Sequence, residues 1–137
     1  MSSFKIFDIA GSGLSAQSVR LNTVASNLAN ADSVSGDPAN VYKARHPVFE
    51  AVRAAIGAPK SDAAVRVRSI VENNAPPTTR YEPGNPSADA SGNVYVPNVN
   101  AVEEMVDMIS ASRAYQNNVE VMNTSKDLLL ATLKLGQ

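Results

Sequence analysis

Residues 7–31 read FDIAGSGLSAQSVRLNTVASNLANA, and this stretch decides the fold. Phe7, Ala10, Leu14, Gln17, Leu21, Val24, Leu28 and Ala31 follow one another at alternating steps of three and four, and all but Gln17 are apolar. That is the spacing of a coiled-coil seam. Gly11 and Gly13 each weaken a helix by about 1 kcal/mol relative to Ala, so firm helix is expected from near Ser12 onward.

The same stepping recurs near the other end, through Ala101, Met105, Met108, Ser112, Tyr115, Val119, Met122, Lys126, Leu129 and Leu133. Only Ser112 and Lys126 break its apolar character. Asn100 with Glu103 resembles a capping box in which Asn takes the place of Ser or Thr. Glu103 and Glu104 in the first turn and Lys134 in the last complement the helix dipole. A helix from 100 to 134 would run roughly 50 Å at 1.5 Å per residue, which is long for a chain of this size.

All eight prolines lie between Pro38 and Pro97, and the flanks 1–31 and 98–137 have none. Three segments follow: an assembly helix over 1–31, an irregular middle with short strands over 32–98, and a second assembly helix over 99–137. Val65–Ile70 alternates with period two as a half-buried strand does. Val94–Val96 follows the turn-forming run Asp89–Asn93, and Val41–Arg45 is a third strand candidate. The expected fold class is mainly α: two long terminal helices in a coiled-coil-like pair, with an irregular or short β-hairpin middle.

Composition narrows function. The 137 residues suit one domain. Twelve Lys and Arg stand against 13 Asp and Glu, a net charge of -1, which removes the electrostatic case for a nucleic-acid binder. With no Cys and one His, thiolate chemistry and a His-based metal site are excluded, and no cofactor or small-molecule substrate is expected. His46 has no G-x-S-x-G elbow to serve. Gly11-Ser12-Gly13 is too short to cradle phosphate, and Glu103, Glu104 and Asp107 read as helix-dipole acids rather than a catalytic pair. Asp8 interrupts the apolar start, so neither a cleaved signal peptide nor a membrane span is expected.

The helix faces point to assembly. Between Ile9 and Ala31 the one charged residue is Arg20, and the rest of the surface is Ser, Ala, Asn and Thr. A water-facing helix carries a charged outer side; this one suits burial among other protein. The second helix shows a further apolar line, Ala114, Val121, Leu128, Ala131 and Leu135, and Val102, Val106 and Ile109 widen its apolar face near the start. One partner helix cannot cover both faces. Either the two helices fold back as an antiparallel hairpin and leave apolar surface exposed, or several copies pack side by side, the reading favoured here. Uncharged helices of this kind draw their stability from packing, so they are expected to be largely disordered in a free chain and to order on assembly.

The nominated assembly interface is Leu14, Gln17, Leu21, Val24, Asn27, Leu28, Asn30, Met105, Met108, Ile109, Tyr115, Gln116, Val119, Met122, Asn123, Leu129 and Leu133. Gln17, Asn27, Asn30, Gln116 and Asn123 are its register-fixing polar members. Charge adds a second hint. Lys43, Arg45, Arg53, Lys60, Arg66, Arg68 and Arg80 face only Glu50, Asp62 and Glu72 in the middle, whereas residues 101–133 hold five acids against Arg113 and Lys126. Opposite patches favour contacts between copies.

Residues 25–33, ASNLANADS, and 97–137, PNVNAVEEMVDMISASRAYQNNVEVMNTSKDLLLATLKLGQ, together resemble the axial proteins of the bacterial flagellum, the rod, hook and hook-associated subunits. Ser26 stands where Asn is commoner in that signature, while Asn27, Leu28, Ala29 and Asn30 match it. Asp32-Ser33-Val34, Tyr42-Lys43-Ala44-Arg45, Tyr81–Pro86 and Val96–Asn100 are similar to short proximal-rod members, and no large outer domain is inserted. The resemblance implies a non-enzymatic subunit that polymerises into a helical tube, transmits motor torque and forms part of an export channel. Its implied partners are other rod proteins, copies of itself, components on the MS-ring and export-gate side, and the flagellar type III export apparatus. The implied location is the periplasm-spanning rod of the basal body, reached without a cleaved signal peptide. On the residues alone the rivals are a soluble helical adaptor or secretion chaperone acting as a small oligomer, and, more remotely, a hydrolase using His46.

Overall fold

The proline-free flanks form two helices and the proline-bearing middle forms strands. The computed structural model describes residues 3–53 and 63–135. Helix α1 spans Ser3–Ala29, strands β1 (Arg45–Arg53), β2 (Ala63–Glu72), β3 (Thr78–Tyr81) and β4 (Asn93–Val96) follow, and α2 spans Ala101–Leu135. The two helices pack on one another antiparallel: Arg20 Nη2 donates to Asp107 Oδ1 at 2.9 Å, and Gly13 lies against Asn118.

The mainly-α expectation is overturned. Helix accounts for 52% of the described residues and strand for 22%, so two helices flank a substantial β region. β1 pairs antiparallel with β2 from Arg45↔Glu72 to Arg53↔Ala63, and β3 pairs antiparallel with β4 from Thr78↔Val96 to Tyr81↔Asn93. A bridge between Ser35 and Tyr95 lays the segment after α1 along the free side of β4. β1 escaped the reading of periodicity because its apolar residues come in adjacent pairs, Val48-Phe49 and Ala51-Val52, and Pro47 further masks the strand. Its pairing with β2 shifts register between Val48 and Phe49, where Arg68 of β2 is the extra residue. The strand expected over Val41–Arg45 is instead loop. Pro38–Asn40 forms one 3-10 turn, capped by Asp37 Oδ1 accepting from Ala39 N at 2.9 Å; Val41 and Ala44 are then buried as loop anchors, and strand begins only at Arg45.

Helix α1 also starts earlier than Ser12 and passes through both glycines. At Gly13 the reason is contact: a Cβ there would sit 2.9 Å from Asn118 Nδ2, so the missing side chain admits α2. The other end of α1 explains the ASNLANADS stretch. Ser26 O accepts from both the backbone N and Nδ2 of Asn30, and Asn30 O accepts from both the backbone N and Oγ of Ser33. The last carbonyls, which have no partner within a helix, are satisfied by short polar side chains in place of a glycine cap. At the start of α2, Asn100 Oδ1 accepts from Val102 N at 3.1 Å, a working N-cap.

The core is built from small side chains. Its buried apolar members are Ala10, Ala16, Val24, Val41, Ala44, Val94 and Ala111, and the largest fully buried side chains are Val94 and Asn27. Ahead of β4, Asp89 organises a tight turn. Its carboxylate accepts from Ser91 N, Asn93 N and the Tyr95 hydroxyl, and Gly92 adopts φ +79°, where a side chain would be strained.

Candidate assembly surface

On α2 the line facing α1 runs Glu104, Ala111, Asn118, Ser125, at steps of seven; three are buried and Asn118 is half-buried. Its members stand one residue before Met105, Ser112, Val119 and Lys126 of the seam expected from the sequence, while Ala101, Met108, Met122 and Leu129 of that seam are half-buried beside it. Two of the polar members bond to their own helix: Asn118 Nδ2 donates to Ala114 O at 3.0 Å and Ser125 Oγ to Val121 O at 2.7 Å. Thr23 of α1 does likewise to Val19 O at 2.8 Å. Two buried atoms of this zone, Gln17 Oε1 and Glu104 Oε2, have no hydrogen-bond partner among the described residues. The most deeply buried line of the seam is therefore built of small and polar side chains and is imperfectly satisfied.

Asn27 anchors the helix pair to the β region. Its side chain is completely buried; Oδ1 accepts from Arg45 N at 2.9 Å and from the Tyr42 hydroxyl at 2.8 Å, while Nδ2 donates to Arg45 O at 2.9 Å. The side-chain amide thus pairs with one residue of β1 as a neighbouring strand would. Burial pushes the Tyr42 phenol above its ordinary pKa, with the Arg45 guanidinium pulling the other way and the carboxylates of Glu104 and Glu72 adding to the rise. The phenol keeps its proton and remains a donor. Arg45 also stacks over the Tyr42 ring at 5.8 Å. Ser12 plays a lesser version of the same part, accepting Val65 N at 3.1 Å from β2 while donating to Ile9 O.

The nominated residues divide by where the fold leaves them. Val24 and Asn27 are buried; Leu14, Gln17, Leu21, Leu28, Asn30, Met108, Met122 and Leu129 are half-buried along the helix pair; Met105, Ile109, Tyr115, Gln116, Val119, Asn123 and Leu133 are exposed. The most exposed apolar group is compact. Val102, Met105, Val106 and Ile109, at i, i+3, i+4 and i+7, are 69, 55, 61 and 56% exposed. At 100° per residue they lie on the side of α2 opposite Glu104 and Ala111. Beyond Ile109 that side turns polar, through Arg113, Gln116, Glu120 and Asp127; the exposed Leu128 lies on its flank, and the exposed Leu133 falls in line with Glu104 and Ala111. Val102 and Val106 lay outside the nominated seam, although their spacing was legible. Tyr42 and the buried role of Glu104 had no signal in periodicity.

The expected basic patch is smaller than its count. Arg45 bonds Glu72 at 3.2 Å, Arg66 Nε bonds Glu50 at 2.7 Å and Arg80 bonds Glu82 at 2.6 Å, all within the chain. Lys60 and Asp62 lie outside the described residues. His46 is exposed on β1 opposite Val71. Among the described residues no helix is long and apolar enough to cross a membrane.

An N-terminal helix ending in ASNLAN chemistry and a long C-terminal helix with unpartnered apolar surface define an axial assembly protein, and the comparisons agree. Residues 7–36 match the family described as Flagella basal body rod protein, and residues 90–135 match that described as Flagellar basal body rod FlgEFG protein C-terminal. Over 137 residues, all of both chains, the sequence is 56% identical to the flagellar basal-body rod protein FlgC of Salmonella typhimurium and equally to that of Yersinia enterocolitica. The FlgC protein of Aquifex aeolicus is 41% identical over 134 residues, 98% of this chain and 97% of its own. The chain belongs to the FlgC family of flagellar basal-body rod proteins, and is a structural subunit of that rod. The adaptor reading falls with this, since the likeness to rod proteins runs from end to end.

Proposed function

We propose that this chain is a proximal-rod subunit that polymerises through its two terminal helices into a helical tube, transmitting motor torque and enclosing part of the export channel. The observation that carries the reading is the apolar surface that α2 leaves uncovered: its most deeply buried side chains are Glu104, Ala111 and Ser125, whereas Val102, Met105, Val106 and Ile109 lie open to solvent. A monomer of final form would place them the other way round, because burying a Val or Ile side chain is worth about 1.5–3 kcal/mol. Neighbours in a wall of like helices supply the missing cover. Its partners are then copies of itself and sibling rod proteins, with MS-ring and export-gate components at the inner end. It reaches the periplasm through the flagellar type III apparatus without losing a signal peptide.

The small and polar line of the seam adds a second element: the helices are largely disordered in the free chain and order on assembly. Circular dichroism on dilute protein tests it, with helix content expected far below the 52% of the described residues. A cooperatively melting, fully helical monomer would overturn this element. The reading as a whole is tested by placing Asp at Leu21 or Leu28, which should prevent incorporation into rods; swimming cells carrying such a variant would remove the seam from the interface.

A further inference from the structure

Resting on the rod-subunit reading, we propose that the Val102–Ile109 patch of one copy seats in a groove between α1 and the β1–β2 hairpin of the next copy. The groove holds about 310 Å³ and is lined by Val19, Asn22, Thr23, Ser26, Arg45 and Ile70. Three features fit these two surfaces to one another.

First, the groove wall costs little to cover. The hydroxyls of Thr23 and Ser26 are already committed to Val19 O at 2.8 Å and Asn22 O at 2.9 Å. Apolar side chains pressed against them leave no hydroxyl newly unsatisfied, which is the usual penalty for drying a Ser- and Thr-lined surface. Ile70, 51% exposed, supplies an apolar floor that the chain itself does not cover. Anchors at i, i+3, i+4 and i+7 are what a helix presents when it lies in such a groove.

Second, the charges match. Glu103 is exposed beside Val102 on α2, and the groove's one charge is the exposed Arg45, whose Nε and Nη2 bond Glu72 Oε1 at 3.3 and 3.2 Å, so that an incoming Glu103 would share the guanidinium with Glu72. An acid at the edge of the knob and a cation at the edge of the hole fix orientation more than they add affinity.

Third, the two surfaces face away from one another. Gly13 and Arg20 turn toward α2, whereas Asn22 and Ser26 lie on the far side of α1; the patch lies on the far side of α2. A chain cannot fill its own groove with its own patch. Two docked copies leave one patch and one groove free, so the contact is heterologous and propagates rather than closing into a dimer.

The chain has no cysteine, so engineered disulfides have no background. Ser26→Cys and Val106→Cys are introduced singly and together, and each variant is expressed in a host lacking its own homologue. Basal bodies are then purified, oxidised and run without reductant. The doubly substituted chain should give a ladder of dimers and higher species, co-expressed single variants should give dimers only, and neither single variant should cross-link alone. Asn22→Cys with Val102→Cys is a second pair at exposed positions and should behave the same way. Val106→Cys dimers without Ser26→Cys would mean a symmetric pairing and would overturn the proposal. So would incorporated chains that form no cross-link with either pair. Absence of the unsubstituted chain from basal bodies would instead remove the rod reading itself, and the docking with it.

Discussion

The inner seam of the helix pair and the outer face of α2 are made of opposite materials. Toward α1 the long helix offers Glu104, Ala111, Asn118 and Ser125; toward solvent its first turns offer Val102, Met105, Val106 and Ile109. In a self-sufficient domain the apolar stripe faces the core and the polar one faces water. Here the most deeply buried side chains of the helix pair are small or polar, and several of the largest apolar ones stay uncovered. The contrast supports the proposal that this fold is completed between molecules. It also separates the two kinds of substitution: a change on the outer face should act on assembly alone, whereas a change at the seam or its anchor should act on the subunit as well.

The outer face gives the largest effect. Val106→Asp with Ile109→Asp removes two anchors worth about 1.5–3 kcal/mol each on burial, or roughly two to four powers of ten in association. Incorporation into basal bodies and motility should be lost, while the circular dichroism of the free chain matches the parent. A changed spectrum would mean that the patch serves the subunit's own fold. Next comes Asn27→Ala at the anchor. It removes three hydrogen bonds from a completely buried position and strands their partners on Arg45 and Tyr42. About 2–4 kcal/mol should go, read as earlier thermal release of the chain from isolated basal bodies. Unchanged release would show that the hairpin is held to α1 by other contacts.

What could be read in advance divides along the same line. Both helices were legible because proline segregation and three-four stepping are one-dimensional signals. So were β2, from its alternation, and β4, from the turn run before it. β1 was hidden by its adjacent apolar pairs Val48-Phe49 and Ala51-Val52 and by Pro47, and β3, four exposed residues, is too short to carry a pattern. At the site, the polar character of Asn27 was visible but its partners were not, because Arg45 and Tyr42 come to it only through tertiary folding. The expected α2 seam divides: Ala101, Met108, Met122 and Leu129 are half-buried along α1, whereas Met105, Tyr115, Val119 and Leu133 are exposed. Periodicity marks where large apolar side chains lie, and in this chain only some of those face the intramolecular partner.

A smaller effect tests whether the β region is independent of the helices. The Asp89 carboxyl is held below its ordinary pKa of 3.8, chiefly by the hydrogen bond from Asn93 N and then by those from Ser91 N and the Tyr95 hydroxyl. A depressed folded pKa stabilises the turn above the ordinary value and withdraws that support as the pH falls through the lowered one. Amide resonances of Ser91 and Asn93 should shift together below pH 3.8 in the free chain, and Asp89→Asn should abolish the titration. If the turn loosened near neutral pH instead, its order would depend on the assembled helices.

The smallest effect is the most discriminating. Gly13→Ala adds helix propensity worth about 1 kcal/mol, but the new Cβ would lie 2.9 Å from Asn118 Nδ2 and 3.0 Å from its Oδ1. The two consequences belong to different states. On the proposal that α2 does not press on α1 in the free chain, helicity should rise there; in the rod the gain is offset by displacing Asn118, and thermal release should hardly move. Adding Asn118→Ala should restore the gain in the rod, so that the double variant is released later than either single one. Additivity of the two substitutions would mean that Gly13 and Asn118 do not touch in the assembled subunit. The antiparallel phase of the inner seam, from which the outer face of α2 is defined, would then have to be redrawn.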